Sequence, residues 1–350
     1  PDYSEAYNNL GNAFKDQFKL EDAIAAYKKA ISLKPIFAEA YNNMGIALKD
    51  LGNSKDAIAA YKKAISFDPN YAEAYYNMSF ALLEAQNFNH GFKLQEWRWK
   101  IAERHGQFLK SSKPMWRGEE NKSVFVWGEQ GIGDEIMFAS MIPELYEKCS
   151  NIIVQCDSRL IPIFKRSFST DIKYCNREET LAERDYDFHI PIGSLCSIFR
   201  TSMKSFKMTS AGFLKYDEQK ATILRNTILA GSTKKIIGIS WKTKSSLIDS
   251  VSRNIKLADL VQTLASANTQ LVCLQYGVVE DELEAVKREL GIEIMQVPDI
   301  DNLNDIDGLA SLIMACDEVV STTNATVHLA GSLGANVKVL LPFSSRWIWG

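Results

Sequence analysis

Ala6-Tyr7-Asn8-Asn9-Leu10 returns as Ala40-Tyr41-Asn42-Asn43-Met44 and again as Ala74-Tyr75-Tyr76-Asn77-Met78, 34 residues apart each time. The register continues. Ala13, Ala47 and Ala81 align, then Ala23 with Ala57, Tyr27 with Tyr61, Ala30 with Ala64 and Pro35 with Pro69. A fixed period of this length marks a supersecondary unit that buries its apolar face only against neighbouring copies. The small alanines let paired helices approach, and the aromatics fill the space between them. A stack of small-residue and aromatic packing positions offers no chemistry-bearing side chains of its own, so chemistry is expected after about residue 105. Pro1 stands 34 residues before Pro35, which leads us to expect a further repeat upstream.

This period and order of residues resemble the tetratricopeptide repeat, a helix–turn–helix unit. Asn9, Asn43 and Asn77 recur at one place in the first helix of each unit. They resemble the asparagine ladder of the O-GlcNAc transferase repeats and are candidates for gripping a peptide backbone, since a carboxamide both donates and accepts. Asparagine is also common at that place without such a role. The third unit drifts: Gly91 replaces alanine, Gln95 replaces tyrosine, and Trp97 and Trp99 follow. Residues 86–104 read as a last helix that ends the stack. We assign 1–105 to repeats and capping helix, and 106–122 to a connector.

The composition is that of an ordinary globular chain, 46% hydrophobic and 24% charged. A net charge of −3 gives no electrostatic case for nucleic acid as a partner. No stretch reaches the roughly 18 apolar residues of a membrane helix. Six scattered cysteines without a paired spacing suggest buried thiols in a reducing compartment. A cytoplasmic protein is therefore expected.

From residue 123 short apolar strands alternate with helices, which predicts mostly parallel, doubly wound sheets. The first series has strands at 124–127, 151–156, 171–175 and 187–192, with helices at 134–148 and 160–168. The second has strands at 235–241, 270–275, 293–297, 318–321 and 338–341, with helices near 256–267, 280–290, 305–315 and 325–333. The expected fold is a helical repeat array followed by two Rossmann-like α/β domains at 123–216 and 234–350, joined by a helix and linker at 217–233. Arg346-Trp-Ile-Trp-Gly350 carries no stop signal, so the second sheet is expected to be cut short.

Four motifs fall at the carboxyl ends of strands, where open α/β sheets bind ligands. Trp127-Gly-Glu-Gln-Gly-Ile-Gly-Asp134 puts Gly131 and Gly133 in a tight turn and Asp134 at a helix start. A carboxylate there can take a proton from a hydroxyl or simply cap the helix. Gly131-x-Gly133 with Asp157 also begins a dinucleotide fingerprint, but Ile136 stands where its third glycine belongs. Ser321-Thr-Thr-Asn-Ala-Thr-Val-His-Leu-Ala-Gly331 offers Thr322, Thr323, Asn324 and His328 around a helix N-terminus, an anion site suited to a diphosphate or else a plain capping turn. Gly238-Ile-Ser-Trp-Lys-Thr-Lys244, followed by Arg253, sends Lys242 toward the crevice, as a phosphate partner or a solvated lysine. Leu274-Gln-Tyr-Gly277 places Tyr276 where it could pack on a nucleobase.

Together these motifs make residues 123–350 resemble glycosyltransferases of the two-Rossmann-domain (GT-B) type, near the heptosyltransferase-like family 9. The resemblance implies an inverting transferase that moves a sugar from a nucleoside-diphosphate sugar to an acceptor hydroxyl without a metal or other cofactor. It implies Asp134 as general base and the 322–328 turn and Lys242 as holders of the diphosphate. Heptosyltransferases have Asp-Thr-Gly before the histidine, whereas this chain has Thr-Thr-Asn-Ala, which argues against heptose. The repeats would recruit a protein or peptide. The other reading is a scaffold whose transferase domain has lost its activity.

Overall fold

The computed structural model describes residues 3–101, 108–206, 211–243 and 254–342. Lys244 and Arg253 of the third motif and the 346–350 tail lie outside them. The described residues form two compact units. One holds those up to 110 together with 194–206; the other holds those of 111–193 and 211–342.

The first unit is a stack of helical hairpins: α1 (Ser4–Asp16) with α2 (Leu20–Leu33), α3 (Ala38–Asp50) with α4 (Ser54–Phe67), and α5 (Ala72–Glu84) with α6 (Phe88–Gln95). Tyr27 and Tyr61 are fully buried. Each lies over a glycine of the preceding helix: a Cβ on Gly11 would sit 2.4 Å from Tyr27, and one on Gly45 2.6 Å from Tyr61. Burying such a ring contributes about 1.5–3 kcal/mol. Between repeats, Phe37 and Ala40 pack on Ala30. The expected single helix over 86–104 is corrected: α6 stops at Gln95, and Glu96–Lys100 tightens into a 3₁₀ turn. That turn stacks Trp97 on Tyr75 with ring centroids 3.8 Å apart. It also buries Arg98, which donates to Ser194 Oγ (2.9 Å) and Glu96 Oε1 (2.9 Å). Ser194 precedes a short helix, α10 (Cys196–Phe199), within the same unit.

The second unit carries two parallel sheets. The first runs β3-β2-β1-β4, from β1 (Ser123–Trp127), β2 (Asn151–Cys156), β3 (Lys173–Asn176) and β4 (Phe188–Pro191). Helices α7 (Ile132–Ala139), α8 (Ile142–Lys148) and α9 (Ile161–Ser167) connect its strands. The stretch expected as one helix over 134–148 is thus two, the second opening on Pro143. Part of the expected connector is built into this sheet: Trp116 is buried, its N–H donates to His189 O (2.8 Å), and Met115 bridges β4.

The second sheet runs β7-β6-β5-β8-β9, from β5 (Lys235–Ser240), β6 (Thr269–Cys273), β7 (Ile294–Met295), β8 (Glu318–Thr322) and β9 (Val337–Leu340). Its helices are α11 (Glu218–Leu229), α12 (Leu257–Leu264), α13 (Glu280–Leu290), α14 (Ile306–Ala315) and α15 (Ala325–Ser332). The central strand β5 is buried on both faces from Ile236 to Ser240, as in a parallel sheet covered by helices; Ile237, Ile239, Leu271 and Cys273 pack with Leu260 and Val261. In each sheet the chain winds one way from the first strand and then returns to its other side. The turning points lie between β1 and β4 and between β5 and β8, the place where open α/β sheets bind their ligands.

Candidate functional site

The turn after β1 is held by two buried glutamates. Glu129 Oε1 accepts Gly193 N–H (3.0 Å), just past β4. Glu135 has no exposed surface. Its Oε2 accepts Asp157 N–H (2.9 Å), and its Oε1 accepts Arg177 Nε (3.0 Å) and Nη2 (2.7 Å). Burial pushes the Glu135 carboxyl above its ordinary range, while the Asp157 amide and the Arg177 guanidinium pull it back. Arg177 Nη2 also donates to Gln130 O (2.7 Å). Glycine at 128 is a matter of space: a Cβ there would lie 2.2 Å from Glu135 Oε1.

Asp134 sits in the first turn of α7, whose N-cap is Gly131. Its Oδ2 is 3.4 Å from Gly131 N–H, a long capping bond. The helix begins two residues earlier than expected, so Asp134 is its third residue. Beneath the turn Trp127 Nε1 donates to His189 Nδ1 (3.2 Å). Burial holds the His189 imidazole below its ordinary range, against opposing effects of the Lys113 backbone and Glu183.

The turn after β8 is organised by Asn324. Its Oδ1 accepts Thr326 N–H (3.0 Å) and caps α15, and its Nδ2 donates to Ser240 Oγ (2.7 Å) and Lys242 O (3.2 Å). Ser240 Oγ and the backbone N–H groups of Trp241 and Lys242 all donate to Gln275 Oε1. The Asn324 side chain is thus occupied in joining β8 to β5, and Gln275 joins β5 to β6. The threonines differ. Thr322, Thr323 and Thr326 are 1%, 6% and 1% exposed, and their hydroxyls have no hydrogen-bond partner among the described residues. A buried hydroxyl without a partner costs about 1–3 kcal/mol.

The two turns meet. α7 packs against α15, and a Cβ on Gly133 would lie 3.1 Å from the His328 ring and 3.5 Å from Ala325 Cα. Gly133, next to Asp134 in the first turn of α7, is thus brought against Ala325 and His328 of α15. Nearby, Arg159 Nη1 donates to Leu303 O (2.7 Å), and Arg166 pairs with Asp307. Lys242 is turned aside: its ammonium pairs with Glu282 at the start of α13. Tyr276 is half-buried beyond the end of β6. Asp157, candidate for a ribose hydroxyl, instead binds Arg159 through Nε (2.8 Å) and Nη2 (2.7 Å), which holds its carboxyl below the usual range.

In the repeats, Asn43 Nδ2 donates to Asn8 Oδ1 (3.1 Å) and Asn77 Nδ2 to Asn42 Oδ1 (3.0 Å). One N–H of Asn43 and one of Asn77 thus clamp the preceding repeat. Asn9, in the first repeat, is exposed. The buried partners Asn8 and Asn42 stand beside the ladder in the sequence, and a tyrosine at 76 interrupts their recurrence.

Comparison with known proteins bears first on these repeats. Residues 16–52, 38–71 and 60–91 match family descriptions of the tetratricopeptide repeat. Protein FlbA of Caulobacter vibrioides is 29% identical over 247 residues, covering 66% of this chain and 41% of its own length. This chain thus spans less than half of that relative. Among solved structures, the first such repeat domain of Spaghetti (RPAP3), bound to an HSP90 peptide, is 21% identical over 29% of this chain and 80% of its own, with a TM-score of 0.28. MamA is 31% identical over 29% of this chain and 61% of its own, with a TM-score of 0.27. Among the described residues no helix is long and apolar enough to cross a membrane. The paired helices that open this chain are tetratricopeptide repeats.

Proposed function

We propose that the α/β part is a glycosyltransferase with two Rossmann-like domains of the GT-B type, and that the repeats recruit a protein or peptide, acceptor or partner. The strand orders β3-β2-β1-β4 and β7-β6-β5-β8-β9 support the Rossmann-like reading, since both follow the order of dinucleotide-type folds. The observation that carries the proposal is the trio of buried hydroxyls of Thr322, Thr323 and Thr326, around the turn from β8 into α15, that have no hydrogen-bond partner among the described residues. A helix N-terminus with spare donors favours a phosphate group.

In this reading Asp134 takes the proton of an acceptor hydroxyl while its oxygen attacks the anomeric carbon. The bond from that carbon to the diphosphate oxygen breaks on the opposite side, with inversion. The departing nucleoside diphosphate is stabilised by the threonine hydroxyls, the first N–H groups of α15, His328 and Lys242 once Lys242 leaves Glu282. Tyr276 packs on the base. No metal ion is required. We place the protein in the cytoplasm, in keeping with six cysteines that form no disulfide among the described residues. Asn9 and the second N–H of Asn43 and of Asn77 grip the backbone of a bound segment.

The Lys242–Glu282 pair favours a second reading, a scaffold whose transferase site is closed to donors. Nucleotide release from UDP-, GDP-, ADP- and CMP-sugars by the full protein, in EDTA, separates the two. The transferase turns over one donor class, and inertness toward all of them favours the scaffold.

A further inference from the structure

A carboxylate without exposed surface is costly unless its oxygens are bonded. Glu135 meets that cost with Asp157 N–H and the guanidinium of Arg177. Arg177 follows the end of β3, far from Glu135 in sequence, and its Nη2 binds the Gln130 carbonyl as well. One guanidinium thereby ties β3 to α7 and to the turn between β1 and α7. The opposite side of that turn is held by Glu129, whose Oε1 takes Gly193 N–H. Both glycines facing these carboxylates are needed for space: Cβ atoms on Gly128 and Gly193 would lie 2.2 Å and 2.7 Å from the glutamate oxygens. Between the two anchors Gln130 has φ +61°, a left-handed backbone uncommon for a residue with a side chain. The turn is thus kept in a disfavoured shape by bonds on both sides. Asp134 is the neighbour of Glu135 on α7.

We infer that Arg177 and Glu135 are positioning residues: they fix the 128–133 turn and the first turn of α7 so that Asp134 is aimed at its acceptor. This role rests on the transferase reading proposed above. Neither residue touches a reacting atom. Their contribution is to keep the base from swinging, and a misplacement of about 1 Å costs a catalytic group on the order of 100-fold.

The test uses the full protein with Arg177→Ala, Arg177→Lys and Glu135→Gln, each first checked for folding by thermal unfolding. Four quantities are read: kcat, KM for the donor, hydrogen exchange of the 129–133 amides, and rescue by added guanidinium. We expect kcat to fall about 100-fold in Arg177→Ala and Glu135→Gln with donor KM nearly unchanged. The turn amides should exchange about 10-fold faster, as expected when a charged hydrogen bond is lost. Guanidinium ion should restore turnover to Arg177→Ala and not to Glu135→Gln, while Arg177→Lys should fall between Arg177→Ala and wild type. An active wild type whose variants keep full kcat, or a variant turn that exchanges as slowly as wild type, overturns the inference. A wild type inert toward every donor, with variants whose turn still loosens, overturns the transferase reading instead.

Discussion

At the end of β1 both buried glutamates of the turn have their donors, Glu129 from Gly193 and Glu135 from Asp157 and Arg177. After β8, Thr322, Thr323 and Thr326 have hydroxyls just as buried and, among the described residues, without partners. The two turns share a plan, strand then tight turn then eight-residue helix, and their helices pack together. The difference teaches what each is for. A turn complete in its own hydrogen bonds can hold a group in place. A turn with spare buried donors and acceptors is complete only when something else supplies their partners.

Asp134→Asn tests the first turn and should have the largest effect. The carboxamide keeps the shape and the capping bond to Gly131 and cannot take a proton. Sugar transfer should fall by about 100- to 10,000-fold, while donor affinity and unfolding temperature stay near wild type. Wild-type-like transfer would reduce Asp134 to a helix cap.

Thr326→Val and Thr322→Val test the second turn. Without ligand each removes a buried hydroxyl that has no partner among the described residues, so stability should rise, by up to about 1–3 kcal/mol. Nucleotide binding should weaken in the same proteins. Lower stability without ligand in both variants would mean that the hydroxyls are already satisfied, and the contrast between the turns would fail.

A pH titration examines what lies under the first turn. His189 titrates lower in the fold than in the unfolded chain, because burial disfavours its cation. The unfolded chain therefore binds the extra proton first. Stability should be lost as pH falls below about 6.5, with a slope of at most about 1.4 kcal/mol per pH unit, until the lower folded value is passed. His189→Gln, whose oxygen can still accept from Trp127, should remove that part of the slope in a series of thermal melts. An unchanged slope would assign the loss elsewhere. Asp157, held down by Arg159, adds its own loss only in more acidic solution.

The smallest effect is expected from Gln130→Gly. It relieves a left-handed backbone worth about 1–2 kcal/mol and adds unfolded-state freedom worth about 0.4–1 kcal/mol. Denaturant melts should move little. A loss well beyond about 1 kcal/mol would show that the Gln130 side chain, not its backbone, holds the turn.

Periodic features were legible in the sequence. The 34-residue register announced the hairpins because each unit repeats the same packing, and alternating apolar runs announced the parallel sheets. The two strand–turn–helix junctions that carry Asp134, Gly133, Thr322, Thr323 and His328 were legible because strand, turn and helix follow one another along the chain. What tied them down was not. Arg177 lies 42 residues from Glu135 and reads as one charge in a polar stretch. Glu282 lies 40 residues beyond Lys242, so the lysine looked available when its ammonium is in fact paired. Asn324 looked like a ligand contact, and its carboxamide is taken up by Ser240 and the start of α15. Partners distant in sequence carry no spacing to recognise.

The most direct measurement is calorimetric titration of the full protein with UDP, GDP, ADP and CMP in EDTA, for wild type, His328→Ala and Lys242→Ala. We predict that one nucleoside diphosphate binds without metal and that each substitution weakens it by about 1–3 kcal/mol. Absence of binding by every nucleotide, or equal affinity in all three proteins, would contradict it.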